Sequence, residues 1–457
     1  MRHISVESLS RVEGHGGITV KIDGKKVKDV KVQIYEGPRL IEELVVGMSP
    51  EDVLNIVPRI CGLCSLSHRY AALRALEKAL SIEVPLRTRL TRYLMLVGEI
   101  IQSHSLHLFF LSLPDFLGLS SAMDMVDNYG EEVKSGFALK GFGYWVMQTI
   151  SARMIHGENP ILGGFGAHPA QKALIEIKER AQKLISDAEK AVELFASFDY
   201  PSWVEHDTTF MALNPPDGKY SFLGDSVLIS APASQTQAAR HKHGPPQTRR
   251  AGGQAGRGEE RPVEEYNQII EERVVPYSFA KRSRHSGNPF TVGATARMNL
   301  LGRRLTGQPA EYFKKLYSKR WMKNPLFNNL AQAIEVLHCL ETIPGLVDEI
   351  TELEEPEIVQ PSKSHGTGVG AVEAPRGTLY HRYSIADGTI TECDIATPTA
   401  QNLDDIERYL KIATENLLSK GTEDNLEPKL EMVVRAFDPC ISCSAHLVTV
   451  RRDQKSD

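Results

Sequence analysis

The sequence predicts a mainly α fold of the α+β kind, with a large helical core and small β-sheets near the N-terminus and in the C-terminal third. Three observations lead there: apolar residues alternating over residues 17–35, apolar residues recurring every three to four positions in several long stretches, and a short β-like run at 379–384. At 457 residues, with 41% hydrophobic and 24% charged residues, the chain has an ordinary globular composition. It is long enough for two or three average domains, or for one large domain with insertions. The net charge of -5 argues against a nucleic-acid binder, which would carry a basic excess.

The elements follow in order along the chain. Ile18, Val20 and Ile22 precede Asp23-Gly24, and Val27, Val30, Val32 and Ile34 follow it, which predicts a hairpin with a D-G turn and one apolar face. Tyr70, Leu73, Leu76 and Leu80 mark a helix directly after the first cysteine pair. Residues 106–119 are apolar but interrupted by Ser112, Pro114 and Asp115, too short a run to span a bilayer, and read as a core helix and its end. Leu174, Ile177, Ala181, Leu184, Ala188 and Val192 form a long amphipathic helix with Pro169 placed as a first-turn proline. A further helix over residues 328–339 is expected to end ahead of Pro344-Gly345. The opening residues MRHISVESLS contain no apolar h-region, so no secretion signal and no membrane span are expected. No internal repeat is present.

Residues 234–262 differ from the rest. They contain no Val, Ile, Leu, Phe or Tyr and are rich in Arg, Gly, Gln and Pro, so they bury too little apolar surface to offset ordering entropy. A mobile surface insertion is expected, with a basic docking loop for a partner as the functional alternative.

The chemistry lies in the cysteines. Of six, four form two C-x-x-C pairs, Cys61/Cys64 and Cys440/Cys443, near opposite ends of the chain. Cys339 and Cys393 stand alone and read as small buried hydrophobes. On the pairs alone a structural zinc site is the default, since two thiolate pairs complete a tetrahedral site across any sequence distance. Zinc pairs, however, tend to lie close in sequence and organise small modules. Here each pair also carries polar residues at fixed offsets: Arg59-Ile60-Cys61-Gly62-Leu63-Cys64 is followed by His68, and Asp438-Pro439-Cys440-Ile441-Ser442-Cys443 by His446.

These patterns, R-x-C-G-x-C-x-x-x-H and D-P-C-x-x-C-x-x-H, resemble the two signatures of nickel–iron hydrogenase large subunits. The resemblance covers residues 11–446. It takes in Arg11-Val12-Glu13-Gly14-His15, Gly163-Gly164 with His168-Pro169, Val292-Gly293 through Arg297 and Asn299, Glu373-Ala374-Pro375-Arg376-Gly377, and Pro398-Thr399. Ordered motifs of this kind are far more specific than a lone C-x-x-C. The resemblance implies the large-subunit fold, as a single domain over residues 1–446.

It also implies a site. Cys61, Cys64, Cys440 and Cys443 would bind nickel, with Cys64 and Cys443 shared with an iron that carries CO and cyanide; soft thiolates suit both metals. Arg376, and Thr399 after Pro398, would donate hydrogen bonds to the cyanides. Cys440 and then Glu13 would take the proton released by heterolysis of H2. Glu42, the backbone carbonyl of Ile395 and His446 match the ligands of a magnesium or second iron ion, a hard cation held by few protein groups. The run from Glu36 to Glu43 departs from the family's R-G-x-E pattern, so Glu43 competes with Glu42. His68 is expected to donate to a cysteine sulfur. His104 and His107 fall on a helix that lines the site in relatives, against the ordinary role of satisfied core histidines. Where some relatives place an aspartate against the arginine, this chain has Ser103.

The implied function is the catalytic subunit of a nickel–iron hydrogenase. Electrons would pass to an iron–sulfur small subunit, because Cys339 and Cys393 are too few for a four-cysteine cluster. Flavin- and NAD(P)-type diaphorase subunits, nickel-insertion factors and a maturation protease that removes residues 447–457 complete the expected partners, in the cytoplasm. The alternatives are a hydrogen-sensing regulatory homologue with the same metal core and the non-catalytic scaffold subunit of respiratory complex I, which lacks the four cysteines.

Overall fold

Helices that are apolar on nearly every face can only sit inside a protein or a membrane, and two such helices form the centre of this one. In the computed structural model, which describes residues 2–230, 258–421 and 425–445, Leu86–Leu106 packs on Gly130–Ser151 and on Phe327–Glu352, and the latter packs on Gln171–Ser197. By length and composition Leu86–Leu117 and Phe327–Glu352 resemble membrane spans, but 83% and 78% of their apolar windows are buried inside the protein, as expected of core helices.

The helix expected to stop before Pro344 instead runs on to Glu352. A mid-helix proline costs about 3 kcal/mol. Burial of Ile343, Leu346, Val347 and Ile350 on the same face offsets that cost. Pro169 likewise lies outside its helix, which begins at Gln171 after Ala170. The expected end of a core helix near residue 117 is present. Between Leu106 and Leu113 the helix widens into a π-type turn over His107–Ser112, then closes on Gly118 in the left-handed conformation.

The N-terminal hairpin forms as expected. Gly16–Asp23 pairs with Lys26–Ile34 around Gly24, and a register shift between Lys21 and Ile22 accounts for the broken alternation of Val27 and Val30. Arg2–Val6 adds a third strand that the pattern did not announce. In the C-terminal third, Gly366–Ala374, Gly377–Ala386 and Thr389–Ala396 form an antiparallel sheet. The middle of the chain also carries sheets, contrary to expectation. Phe290–Thr291, Thr209–Asn214, Ser226–Ile229 and Glu259–Pro262 form four strands, and Glu271–Val275 pairs with Ser278–Arg284. Short buried strands such as Thr209–Asn214 show no alternation, so periodicity cannot distinguish them from helix. Their presence narrows the insertion: Glu259–Pro262 pairs with Ser226–Ile229, and residues 234–257 of that stretch lie outside the described residues.

One contact sets the relation between the first cysteine pair and the C-terminal sheet. Helix Ser65–Ala79 lies directly on strand Gly366–Ala374. A Cβ on Gly368 would fall 2.1 Å from the Ala75 carbonyl oxygen, and one on Gly370 would fall 2.3 Å from that of Ala71. The G-x-G-x-G run thus exists to let a ridge of alanines approach a bare strand. Gly370→Ala should therefore destabilise the protein by about 1–3 kcal/mol through overpacking against backbone. A lowered thermal midpoint checks this, and an unchanged midpoint would show the interface is looser than its geometry.

Candidate metal centre

The four paired cysteines converge. Cys61 Sγ lies 3.1 Å from Cys440 Sγ, Cys64 Sγ lies 3.3 Å from Cys443 Sγ, and Cys440 and Cys443 are 3.2 Å apart. All four are buried and unbridged, and their sulfurs lie within 4.8 Å of one another. A disulfide would need about 2.05 Å; these spacings are instead on the scale that metal–thiolate bonds of about 2.3 Å span. Local structure explains each position. The turn Val57–Ile60 delivers Cys61 in extended conformation, and Cys64 stands at the head of helix Ser65–Ala79. The N–H groups of Leu63 and Cys64 both donate to Cys61 Sγ at 3.3 Å. Arg39 ties the two pairs together, donating to the carbonyls of Arg59 (2.9 Å), Ile60 (2.6 Å) and Ser442 (3.1 Å).

The donor set suits a soft cation. Burial pushes the Cys61 thiol up, but hydrogen bonds from Cys440, Cys443 and Cys64 and the charge of Arg376 bring it well below its ordinary range. Cys440 is pushed well above that range, first by its hydrogen bond with Cys443 and then by those with Cys61 and Cys64. Complete ionisation of four touching, buried thiols requires a cation among them.

Arg376 sits at the tip of the hairpin between Gly366–Ala374 and Gly377–Ala386 and reaches over the sulfurs. Its Nε donates to the Asp438 carbonyl (2.8 Å), Nη2 to Asp438 Oδ1 (2.9 Å) and Nη1 to Ser103 Oγ (3.1 Å). Ser103 therefore does contact the arginine, and the carboxylate comes from Asp438 of the D-P-C motif. Thr399 Oγ1 accepts the Cys440 N–H at 2.9 Å. A small cavity is lined by Cys64, Ala374, Arg376, Pro398, Thr399, Cys440 and Cys443.

Glu13 lies against the terminal pair. Its Oε2 is 3.2 Å from Cys440 Sγ and accepts the Ser442 N–H at 3.0 Å, its Oε1 accepts the Ser442 hydroxyl, and its carbonyl accepts the Ile441 N–H at 3.0 Å. A half-buried carboxylate anchors this loop. Asp115 binds Arg11 and is forked by Arg435 at 2.7 and 2.8 Å, while Arg11 Nη1 takes the Leu111 carbonyl of the π-type turn at 2.6 Å. Asp115 carried no motif that would have singled it out.

His68 lies beside the second cysteine pair. Its Nε2 is 3.7 Å from Cys443 Sγ and its Nδ1 is 3.0 Å from His381 Nε2, which the sequence did not single out; burial lowers His68 to about 4. His104 and His107 have structural partners, Glu335 for the first and Gln332 and the Arg435 carbonyl for the second. Between the two glutamates, Glu42 is buried and Glu43 exposed. Glu42 Oε1 accepts the Ile395 N–H at 2.7 Å and lies 3.3 Å from Lys281 Nζ, and burial raises its pKa to about 8 against the pull of that ammonium. Lys281, which also meets Glu272 at 3.0 Å, was not foreseen, since an isolated lysine has no sequence signal. His446 lies outside the described residues. Cys339 and Cys393 stand apart from the four-sulfur group.

Comparison with known proteins agrees with this geometry. The family model described as nickel-dependent hydrogenase matches residues 39–138 and 249–446, and a HoxL-like one matches residues 3–36. The sulfhydrogenase 1 alpha subunit of Pyrococcus furiosus is 37% identical over 451 residues, covering 97% of this chain and 98% of that protein. The sulfhydrogenase 2 alpha subunit of the same organism is 39% identical over 446 residues, covering 97% and 99%. A crystal structure of an NAD+-reducing NiFe hydrogenase in the H2-reduced state superposes with a TM-score of 0.84 at 27% identity, covering 98% of this chain and 100% of that one.

Each of Cys61→Ser, Cys64→Ser, Cys440→Ser and Cys443→Ser should lower the nickel content of the purified protein by about tenfold or more, because a thiolate ligand is lost. Cys339→Ser, buried away from the group, should retain it. Elemental analysis decides, and nickel retained in any one of the four would remove that cysteine from the ligand set.

Proposed function

The chain belongs to the nickel-dependent hydrogenase family and has its large-subunit fold, and on that premise we propose that it cleaves and forms H2 heterolytically and passes the electrons to an iron–sulfur small subunit. The observation that carries this reading is the contact between Glu13 and Cys440 at the edge of the four-sulfur group. Cys61, Cys64, Cys440 and Cys443 would hold nickel, and Cys64 and Cys443 would share an iron with CO and cyanide ligands. When bound, that centre supplies the redox-active, Lewis-acidic site at which H2 is polarised.

The chain's own residues do the rest. Cys440 Sγ takes the proton of heterolysis and Glu13 Oε2, 3.2 Å away, receives it. The Ser442 N–H and hydroxyl hold that carboxylate in place. Two N–H groups of Arg376, one on each terminal nitrogen, are not used by described residues and suit cyanide acceptors. Thr399, whose oxygen already accepts an N–H, keeps its hydroxyl proton for donation. A hard ion, magnesium or a second iron, would be held by Glu42 with the Ile395 carbonyl and His446; the burial of Glu42 and exposure of Glu43 favour Glu42 over Glu43.

Cys339 and Cys393 do not suffice for an iron–sulfur cluster, so electrons need a partner that carries its own. Likeness to an NAD+-reducing enzyme supports diaphorase-type subunits and, since NAD(P) is a cytoplasmic carrier, a cytoplasmic complex. The four cysteines favour this reading over a complex I-like scaffold. Residues 447–457 are proposed to be removed by a maturation protease once nickel-insertion factors have loaded the site, leaving His446 as the C-terminus of one domain spanning residues 1–446.

Two measurements test this. Glu13→Gln preserves shape but cannot carry a proton, so D2/H+ exchange and H2 oxidation should fall by about a hundredfold with nickel content unchanged; wild-type exchange would remove Glu13 from the path. Intact mass of the large subunit from active complex should end at His446, and full activity with all 457 residues retained would refute the processing step.

A further inference from the structure

Strands Gly366–Ala374 and Gly377–Ala386 are joined by the two-residue turn Pro375-Arg376. Hairpin tips ordinarily lie in water, which satisfies the turn carbonyls. This one is driven into the protein, with Ala374 2% and Arg376 4% exposed, so its carbonyls need buried donors.

Arg297 supplies them. It projects from helix Ala294–Leu301, fully buried, and donates Nη1 to the Ala374 carbonyl (3.2 Å) and Nη2 to the Pro375 carbonyl (3.1 Å). Its Nε and Nη2 fork Glu335 at 2.6 and 2.7 Å, and Nη1 also meets Glu373 Oε2 at 2.9 Å. Every N–H of the guanidinium is thereby used. The carboxylates are pinned in turn. Glu335 meets the Tyr220 hydroxyl and His104 Nε2 (2.7 Å), and Glu373 Oε1 accepts the Leu213 N–H and the Thr378 hydroxyl, each at 2.7 Å. Gly293, at φ 109, brings the helix start so close that a Cβ would lie 3.0 Å from the Arg376 carbonyl oxygen.

A buried ion cluster is seldom the cheapest way to stabilise a core, since apolar residues of similar volume often do as well. What this one achieves is to fix two consecutive carbonyls immediately before Arg376. We propose that Arg297, held by Glu335 and Glu373, is the positioning residue that sets the height of the Arg376 guanidinium over the Cys64–Cys440–Cys443 cavity. The proposal rests on the reading of Arg376 as a donor to the iron's cyanide ligands. Arg376 is then held from both sides: the two residues before it by Arg297, its side chain by Asp438 and Ser103.

Arg297→Lys keeps the charge but cannot fork a carboxylate and hold two carbonyls at once. The test is infrared spectroscopy of the cyanide bands in the purified complex, with nickel content and H2 turnover measured alongside, for Arg297→Lys and Arg376→Lys. The expected result is nickel loading in Arg297→Lys, cyanide bands displaced in the same sense as in Arg376→Lys but by less, and turnover per nickel lowered by about tenfold or more. A merely structural role would lower loading and leave the bands of the loaded fraction unmoved, and that result overturns the proposal. If Arg297→Lys does not assemble, Glu373→Gln is read by the same criteria. It keeps acceptors for Leu213 and Thr378 but turns an amide toward Arg297 Nη1. If Arg376→Lys itself leaves the bands unmoved, the reading of Arg376 falls and this proposal with it; bands moved by Arg376→Lys alone refute only the role of Arg297.

Discussion

Four sulfur atoms from opposite ends of the chain must touch inside the protein, and most of the architecture near them serves that contact. Thiols brought this close cannot all ionise unaided, and no local helix or turn can bring residue 61 to residue 440. The fold meets the requirement from several directions. Glycines in strand Gly366–Ala374 let helix Ser65–Ala79 close on it, which sets the first pair against the hairpin tip. The single guanidinium of Arg39 joins the two cysteine loops through three main-chain carbonyls.

Around the sulfurs the positioning is ionic. Asp115 with Arg11 and Arg435 holds the Glu13 loop to the segment leading into the terminal pair. Glu335 and Glu373 with Arg297 hold the hairpin tip. Each cluster buries charges at a large desolvation cost, recovered only when the hydrogen-bond geometry is nearly complete. Such clusters resist displacement in every direction, which apolar packing does not. The proton transfer proposed between Cys440 and Glu13, 3.2 Å apart, would need that stiffness.

Much of the site was legible in the sequence, for an identifiable reason. Ligand chemistry is local: a C-x-x-C pair, a histidine a fixed number of residues later, and a proline before a threonine all occupy a few consecutive positions. The N-terminal hairpin and the helices after Cys64 and Ala170 were legible because an apolar face repeats at the period of the element. Less legible were Phe327–Glu352, where burial overrode Pro344, and the strands Thr209–Asn214 and Ser226–Ile229, buried on both faces and therefore without alternation.

The sequence by itself determined the donor set and the family resemblance, because these depend on residue types at short, fixed spacing. Tertiary structure alone decided which glutamate is buried beside Ile395, that His104 and His107 are held by structural partners, that Arg376 is held by Asp438 and Ser103, and that Arg297 binds the two carbonyls before it. Each of those outcomes depends on a contact between residues far apart in the chain. Such contacts are set by how whole elements pack, and residue types along one segment do not encode them.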